Sequence, residues 1–275
     1  MGFFGKLFEK KECAICGGEI GLLGNRKLED GNCCKQCAKK LSPWFDDRRH
    51  STVEQIQKQL SYREENRAAL DAFSPTVSFG EMYTLYAEVA NGVPIRFVVA
   101  RTDDFKEENA DIIQFADVDS FNIDIREHDR ELKYRNSKGE EVSYSPPRYE
   151  YSYDFYAEIH VQHPYFENIR FQINRRTLEL ETIERRSVLN LFGAGFDPSL
   201  YPEYRQYQSL CNEMEDLFRA GMQGVTVCGY VPVAQPAQQQ ATEQAPTVAG
   251  PKFCPNCGAP ANGSKFCQNC GNKLC

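Results

Sequence analysis

From residue 79 onward, apolar and polar positions alternate with a period of two. The segments MYTLYAEV (82–89), IRFVVAR (95–101), DIIQFADVDSFNIDI (111–125), RELKY (130–134), YSYDFYAEIHV (151–161) and NIRFQIN (168–174) are rich in aromatic and β-branched residues. Such residues suit a pleated, half-buried surface. Asn91-Gly92 and Lys138-Gly139 fall between segments as turn signals. Six or seven antiparallel strands are predicted. The period changes on either side. Ser51-x-x-Glu54 reads as a capping box opening a helix with Val53, Ile56 and Leu60 on one face. Pro75 ends that helix by residue 74. Its charged residues Arg63, Glu64, Glu65 and Arg67 read as a solvated face. After the strands, Tyr201, Tyr204, Tyr207, Leu210, Cys211, Met214, Leu217 and Phe218 mark one face of a long amphipathic helix, with Gly221 as its expected C-cap. Strands followed by one such helix indicate an α+β domain over 76–224, the helix closing one mouth of a bent sheet. That element order is pleckstrin-homology-like.

Beyond the helix the pattern stops. Residues 225–250, and VPVAQPAQQQATEQAPTVAG within them, are rich in Pro, Gln and Ala and read as a flexible linker. The last 25 residues, 251–275, then repeat themselves. Lys252 to Gly258 and Lys265 to Gly271 both read K-F-C-x-N-C-G. Cys254 and Cys257 form one C-x-x-C pair, and Cys267 and Cys270 the other. Two intervening residues let both sulfurs of a pair reach one ion from a tight turn, and four thiolates give the tetrahedral set that structural zinc takes. So short a segment buries almost no core, so the metal must supply most of its folding free energy. A tethered C-terminal zinc ribbon is expected.

The other end carries a second set: Cys13 and Cys16, then Cys34 and Cys37. Asp30-Gly31 signals a turn ahead of the second pair, and KQCAKKL favours helix. A knuckle, a hairpin and ligands at a helix start make a treble-clef-like or ribbon-like zinc module over 1–50, joined by a connecting helix over 51–75. Cys33 is an alternative to Cys34, but C-x-x-C is the commoner ligand spacing. Paired cysteines also serve as disulfides, redox dithiols or haem anchors. No His follows any C-x-x-C, and a thioredoxin-like site needs one pair beside a βαβ unit. Rubredoxin-like iron fits the knuckles but leaves the repeat unexplained. The N-terminus lacks the apolar run of a signal peptide, so a reducing cytoplasm is expected, which favours thiols or metal over disulfides. Two structural Zn2+ ions are therefore expected. Cys33, Cys211, Cys228 and Cys275 remain as ordinary thiols.

Composition adds limits. The chain has 275 residues, 41% of them hydrophobic, which is enough for a real core in about two domains. No apolar run approaches the roughly 18 residues of a membrane span. Formal charge is −7; residues 1–50 and 251–275 each carry +3, leaving −13 between them. A nucleic-acid binder is expected to show a stronger basic stripe than Lys35, Lys39, Lys40, Arg48 and Arg49 supply. Phe3, Phe4, Leu7 and Phe8 could rest residues 1–11 on a membrane surface, with Lys6, Lys10 and Lys11 on the other side. Packing against the first cysteine module is the favoured alternative.

The run C-A-I-C-G-G, then N-R-K-L-E-D-G, C-x-x-C-A-K-K-L-S, R-R-x-S-T-V-E-Q-I and Y-R-E-E-N resembles the bacterial family named domain of unknown function 4428, over roughly residues 10–75. The resemblance implies metal ligation at the matched cysteines and nothing catalytic. D-I-I-Q-F-A-D-V-D-S-F is similar to bacterial pleckstrin-homology-like segments, and the tail to the bacterial zinc-ribbon domain.

Catalytic candidates are sparse. His160 and His163 sit near a strand end and read as ordinary polar residues rather than ligands. Gly193-Ala-Gly195 lacks the third glycine and βαβ context of a phosphate loop. The acidic run Asp103, Asp104, Glu107 and Glu108 reads as a solvated loop. No hydrolase, metalloprotease or P-loop signature occurs. The expectation is a non-catalytic interaction or scaffold protein with a protein partner. A nucleic-acid-associated regulator is the alternative, and an enzyme sited in the β domain comes behind both.

Overall fold

The computed structural model describes residues 11–21, 23–181 and 196–227. The expected C-terminal ribbon, the linker from 228, residues 1–10 and Gly193–Gly195 lie outside the described residues. The chain opens with two small hairpins, β1 (Lys11–Glu12) with β2 (Glu19–Ile20) and β3 (Asn25–Lys27) with β4 (Asn32–Cys34). One turn of helix, α1 (Lys35–Ala38), follows, then a 3-10 turn at Asp47–His50 and the long α2 (Val53–Asp71).

A four-stranded meander comes next: β5 (Val77–Phe79), β6 (Thr84–Ala90), β7 (Val93–Ala100) and β8 (Ile113–Gln114), each antiparallel to the one before. A second sheet is built on two long strands, β9 (Val118–Arg135) and β10 (Glu141–Val161). The far edge of β10 is shared by β11 (Asn168–Gln172), beside residues 156–160, and β12 (Leu178–Glu181), beside 150–153. The helix α3 (Pro202–Gln223) closes the described chain. The β6–β7 and β9–β10 turns form where the sequence signals them. Asn91 and Gly92 both take positive φ, as a tight hairpin turn requires. Strands β5 and β12 are short and were not foreseen. FAD, inside a predicted strand, is instead a 3-10 turn at Phe115–Asp117.

The main core lies where both sheets meet α3. Leu85, Ala87, Phe97 and Val99 come from the first sheet, Phe155, Ala157, Ile159 and Phe171 from the second, and Met214, Leu217 and Phe218 from α3. The Phe218 ring stacks on Phe121 at 4.0 Å and meets Phe97 and Phe115 edge-on at 5.2 and 5.1 Å. Gly221 is not the C-cap. It lies inside α3, where an added Cβ would come within 2.4 Å of the Phe115 ring. Gly224 caps the helix instead, at φ 64°. Val225 and Val227 stay attached, Val227 N–H donating to the Gly92 carbonyl.

β7 of the first sheet is covered on both faces. Val98 and Ala100 point away from the main core and pack with Leu70 and Phe73 at the end of α2. Burial on both sides explains why VVA runs apolar without alternation. The N-cap of α2 is one residue later than the sequence suggested. Thr52 and Gln55 form the reciprocal box. Ser51 is buried and spends its hydroxyl on the Asp47 carbonyl, so it is not free to cap. The face α2 buries is Ile56, Gln59, Arg63, Asn66 and Leu70. Arg63 is therefore not on a solvated face, whereas Glu64, Glu65 and Arg67 are exposed as expected.

Candidate metal centre

Three local structures bring four sulfurs together. The β1–β2 hairpin turns through Cys13 and Cys16. Its turn is closed by Gly17 N–H on the Cys13 carbonyl at 2.8 Å and Cys13 N–H on the Gly18 carbonyl at 2.9 Å, with Gly17 at φ 69°. Only glycine takes that φ cheaply. The β3–β4 hairpin delivers Cys34 as the N-cap of α1, and α1 delivers Cys37 one turn on. Ala14 N–H bonds the Asn32 carbonyl at 2.8 Å and ties the two halves together. The sulfurs of Cys13, Cys16, Cys34 and Cys37 all lie within 4.8 Å of one another, and the cluster could hold a metal ion. Cys16 Sγ and Cys34 Sγ are 3.8 Å apart.

The backbone is arranged for thiolates. Cys34 N–H donates to Cys13 Sγ at 3.2 Å and Cys37 N–H to Cys34 Sγ at 3.4 Å. Burial raises the Cys13 pKa, yet N–H groups of Cys34, Cys16 and Ile15 outweigh it and bring the thiol down to about 6. Cys37 is pushed the other way, by burial and by its three sulfur neighbours. Four thiols this close cannot all ionise without a cation between them, and a divalent ion removes that conflict. Cys13 and Cys37 are buried, while Cys16 is exposed.

Cys33 is the odd neighbour, and the pleat decides its role. Successive strand residues face opposite ways. With Cys34 turned to the cluster, Cys33 points into the module core beside Leu28 and Leu41, fully buried, its pKa raised to about 11 by that burial. Cys211 is buried in α3, its pKa raised to about 12 by the same cause. Cys254, Cys257, Cys267 and Cys270 lie outside the described residues.

The remaining candidates do not assemble a second cluster. His160 and His163 line an open hollow of about 420 Å³ with Asp119, Gln162 and Glu167. Among the described residues, the four cysteines, and neither histidine, meet the spacing for a shared ion. Both ring nitrogens of His163 are engaged: Nε2 is 2.9 Å from the Tyr62 hydroxyl, and Nδ1 accepts from Tyr165 N–H at 3.4 Å. Its ring stacks on Phe166 at 3.9 Å. Burial, with Arg63 nearby, lowers its pKa to about 4, so the ring is neutral at pH 7. The acidic loop is solvated as expected, with local bonds such as Glu107 N–H to Asp104 Oδ1.

A buried polar junction beside the centre was not foreseen. Arg63 pairs with Asp111, and both are almost fully buried. The Arg63 guanidinium also donates to the carbonyls of Lys40 and Asn109. Ser42 Oγ donates to Asp111 Oδ2 at 2.8 Å. Asn66 Nδ2 donates to Asn109 Oδ1 and the Ala110 carbonyl, both at 2.9 Å, and its Oδ1 accepts from Ile112 N–H at 2.9 Å. The signal available in the sequence was spacing alone: Ile56, Gln59, Arg63, Asn66 and Leu70 follow one helical stripe that polarity disguises.

Residues 11–59 match a domain of unknown function, DUF4428. The DUF4428 span takes in all four clustered cysteines and the start of α2. No curated protein and no solved structure matches the chain. Among the described residues no helix is long and apolar enough to cross a membrane.

Proposed function

We propose that the chain is a non-catalytic, zinc-stabilised interaction protein whose cysteine modules and β domain form a scaffold for a protein partner. The observation that carries this reading is the donor set: four cysteine sulfurs, from two C-x-x-C pairs, converge on one point. A thiolate quartet fills every position of tetrahedral zinc, leaving none open for water or substrate. Such a site holds structure rather than performing hydrolysis. On this reading Cys13, Cys16, Cys34 and Cys37 hold one zinc and Cys254, Cys257, Cys267 and Cys270 a second, in a cytoplasm that keeps thiols reduced. A four-strand meander, a second antiparallel sheet and a closing helix support a pleckstrin-homology-like β domain, a frame that presents loops and edges to partners. Exposed acid on that domain argues for a protein rather than a nucleic acid.

Elemental measurement on full-length protein purified under reducing conditions should return about two zinc per chain. Cys16→Ser should lower this to about one. Iron in place of zinc, or an unchanged count in the variant, would overturn the assignment. Affinity capture with and without residues 251–275, followed by reconstitution with purified captured protein, tests the partner. Failure of every reconstituted pair would remove the scaffold reading.

A further inference from the structure

The polar junction links the segment that follows the cysteine cluster to the segment that leads into β8. From the metal side the path is short. Cys37, a cluster residue, gives its carbonyl to Lys40 N–H at 3.1 Å. Lys40 gives its own carbonyl to Arg63 Nε at 3.1 Å. Two residues on, Ser42 binds Asp111, and the same hydroxyl accepts Trp44 N–H at 3.1 Å. Leu41, between them, is buried with Cys13 and Cys37. The course of residues 39–42 is thus fixed at one end by a ligand and at the other by the junction. The β3–β4 hairpin adds a second tie, with Asp30 Oδ1 accepting Val53 N–H at the start of α2 at 2.8 Å.

On the far side the junction holds residues 109–112, which lead into β8. Asn109 has positive φ, at 51°, and its side chain is held by the Arg63 carbonyl and Asn66. Among the described residues β8 pairs with β7 alone, through Phe97↔Ile113 and Arg96↔Gln114. So short an edge strand has little ladder of its own to keep it in place, so the segment feeding it matters. A buried Arg–Asp pair is costly to leave half-made, because the remaining charge stays in a dry site. If residues 39–42 lose their course, Arg63 loses a carbonyl and Asp111 a hydroxyl together.

We propose that metal loading of the cysteine cluster sets the order of residues 109–113 and hence of the β8 edge, through Arg63 and Asp111 as positioning residues. This rests on the zinc reading above. The cysteine module then does more than hold itself together. Loss of its ion by chelation changes the sheet edge that the β domain offers to a partner.

The test is hydrogen exchange on the full-length chain carrying Cys254→Ser and Cys267→Ser, so that the N-terminal cluster is the one expected to load. Zinc-loaded and chelator-stripped samples are compared. Stripping should speed exchange at 109–113 by about tenfold or more, while 156–160, in the middle of the second sheet, change little. In Arg63→Met/Asp111→Leu, zinc should still bind at one per chain, but exchange at 109–113 should no longer respond to it. Ser42→Ala, which leaves the ion pair in place, should give a smaller response than wild type. Equal acceleration in wild type and the double variant, or none in wild type, overturns the proposal and leaves the zinc reading standing. A chain that takes up no zinc overturns both.

Discussion

At the scale of single residues, His163 shows how the fold sets chemistry. Its ring is half-buried between Tyr62 of α2 and Phe166 of the β10–β11 connection. Burial, with the Arg63 charge, holds its pKa at about 4 against 6.5 for a free ring. A folded pKa below the unfolded one means that the unfolded chain takes up the proton first as pH falls. Stability should therefore be unaffected above about pH 6.5 and decline between 6.5 and 4, by roughly 1–2 kcal/mol once the screening of a half-exposed ring is allowed for. In His163→Gln this part of the decline should vanish. The difference in denaturation midpoint between the two proteins, followed across that range, checks it; a difference that does not change with pH would refute it. The grouping of Cys13, Cys16, Cys34 and Cys37 was legible in the sequence because C-x-x-C spacing is local. The burial of His163 was not, because Tyr62, whose hydroxyl it meets, lies 101 positions away. Gly221 was misread for a related reason. A glycine near a helix end suggests a cap, and nothing nearby in sequence announces that Phe115 needs the space.

At the scale of elements, the strands were legible wherever one face met solvent. β6 alternates buried and half-exposed positions, as its sequence does. β7 breaks the alternation because α2 covers its second face. α2 itself was legible as a helix but not in orientation. Its buried stripe carries Gln59, Arg63 and Asn66, so polarity pointed the wrong way and only long-range partners revealed it. The start of α2 gives a direct test. Thr52 Oγ1 accepts Gln55 N–H, and Gln55 Oε1 accepts Thr52 N–H. Thr52→Ala should cost about 1 kcal/mol in chemical denaturation. Glu54→Ala, which removes an exposed pair with Lys58, should move the midpoint much less. The reverse order would place the cap at Ser51 after all.

At the scale of the whole molecule, α2 is the piece that makes the cysteine module and the β domain one body. Ile56 packs into the module, Arg63 and Asn66 close the junction, and Leu70 lies on the outer face of the first sheet. Sequence boundaries at 50 and 75 separate stretches of different character, but the buried bonds cross them freely. The β9–β10 hairpin obeys a different logic. Its ladder runs from Val118↔Val161 to Arg135↔Glu141, and its end is a turn at Asn136–Glu140, with Gly139 at φ 81°. That turn carries no part of the core, and the strands on either side belong to different halves of the chain. Covalent continuity there should be dispensable. A site-specific protease sequence placed between Lys138 and Gly139 should yield two fragments on a denaturing gel that still elute together in native buffer. Separate elution would show the ladder to be too weak to hold them. If they stay together, the protein can be split at this turn and its halves supplied on separate chains, making assembly itself a measurable event.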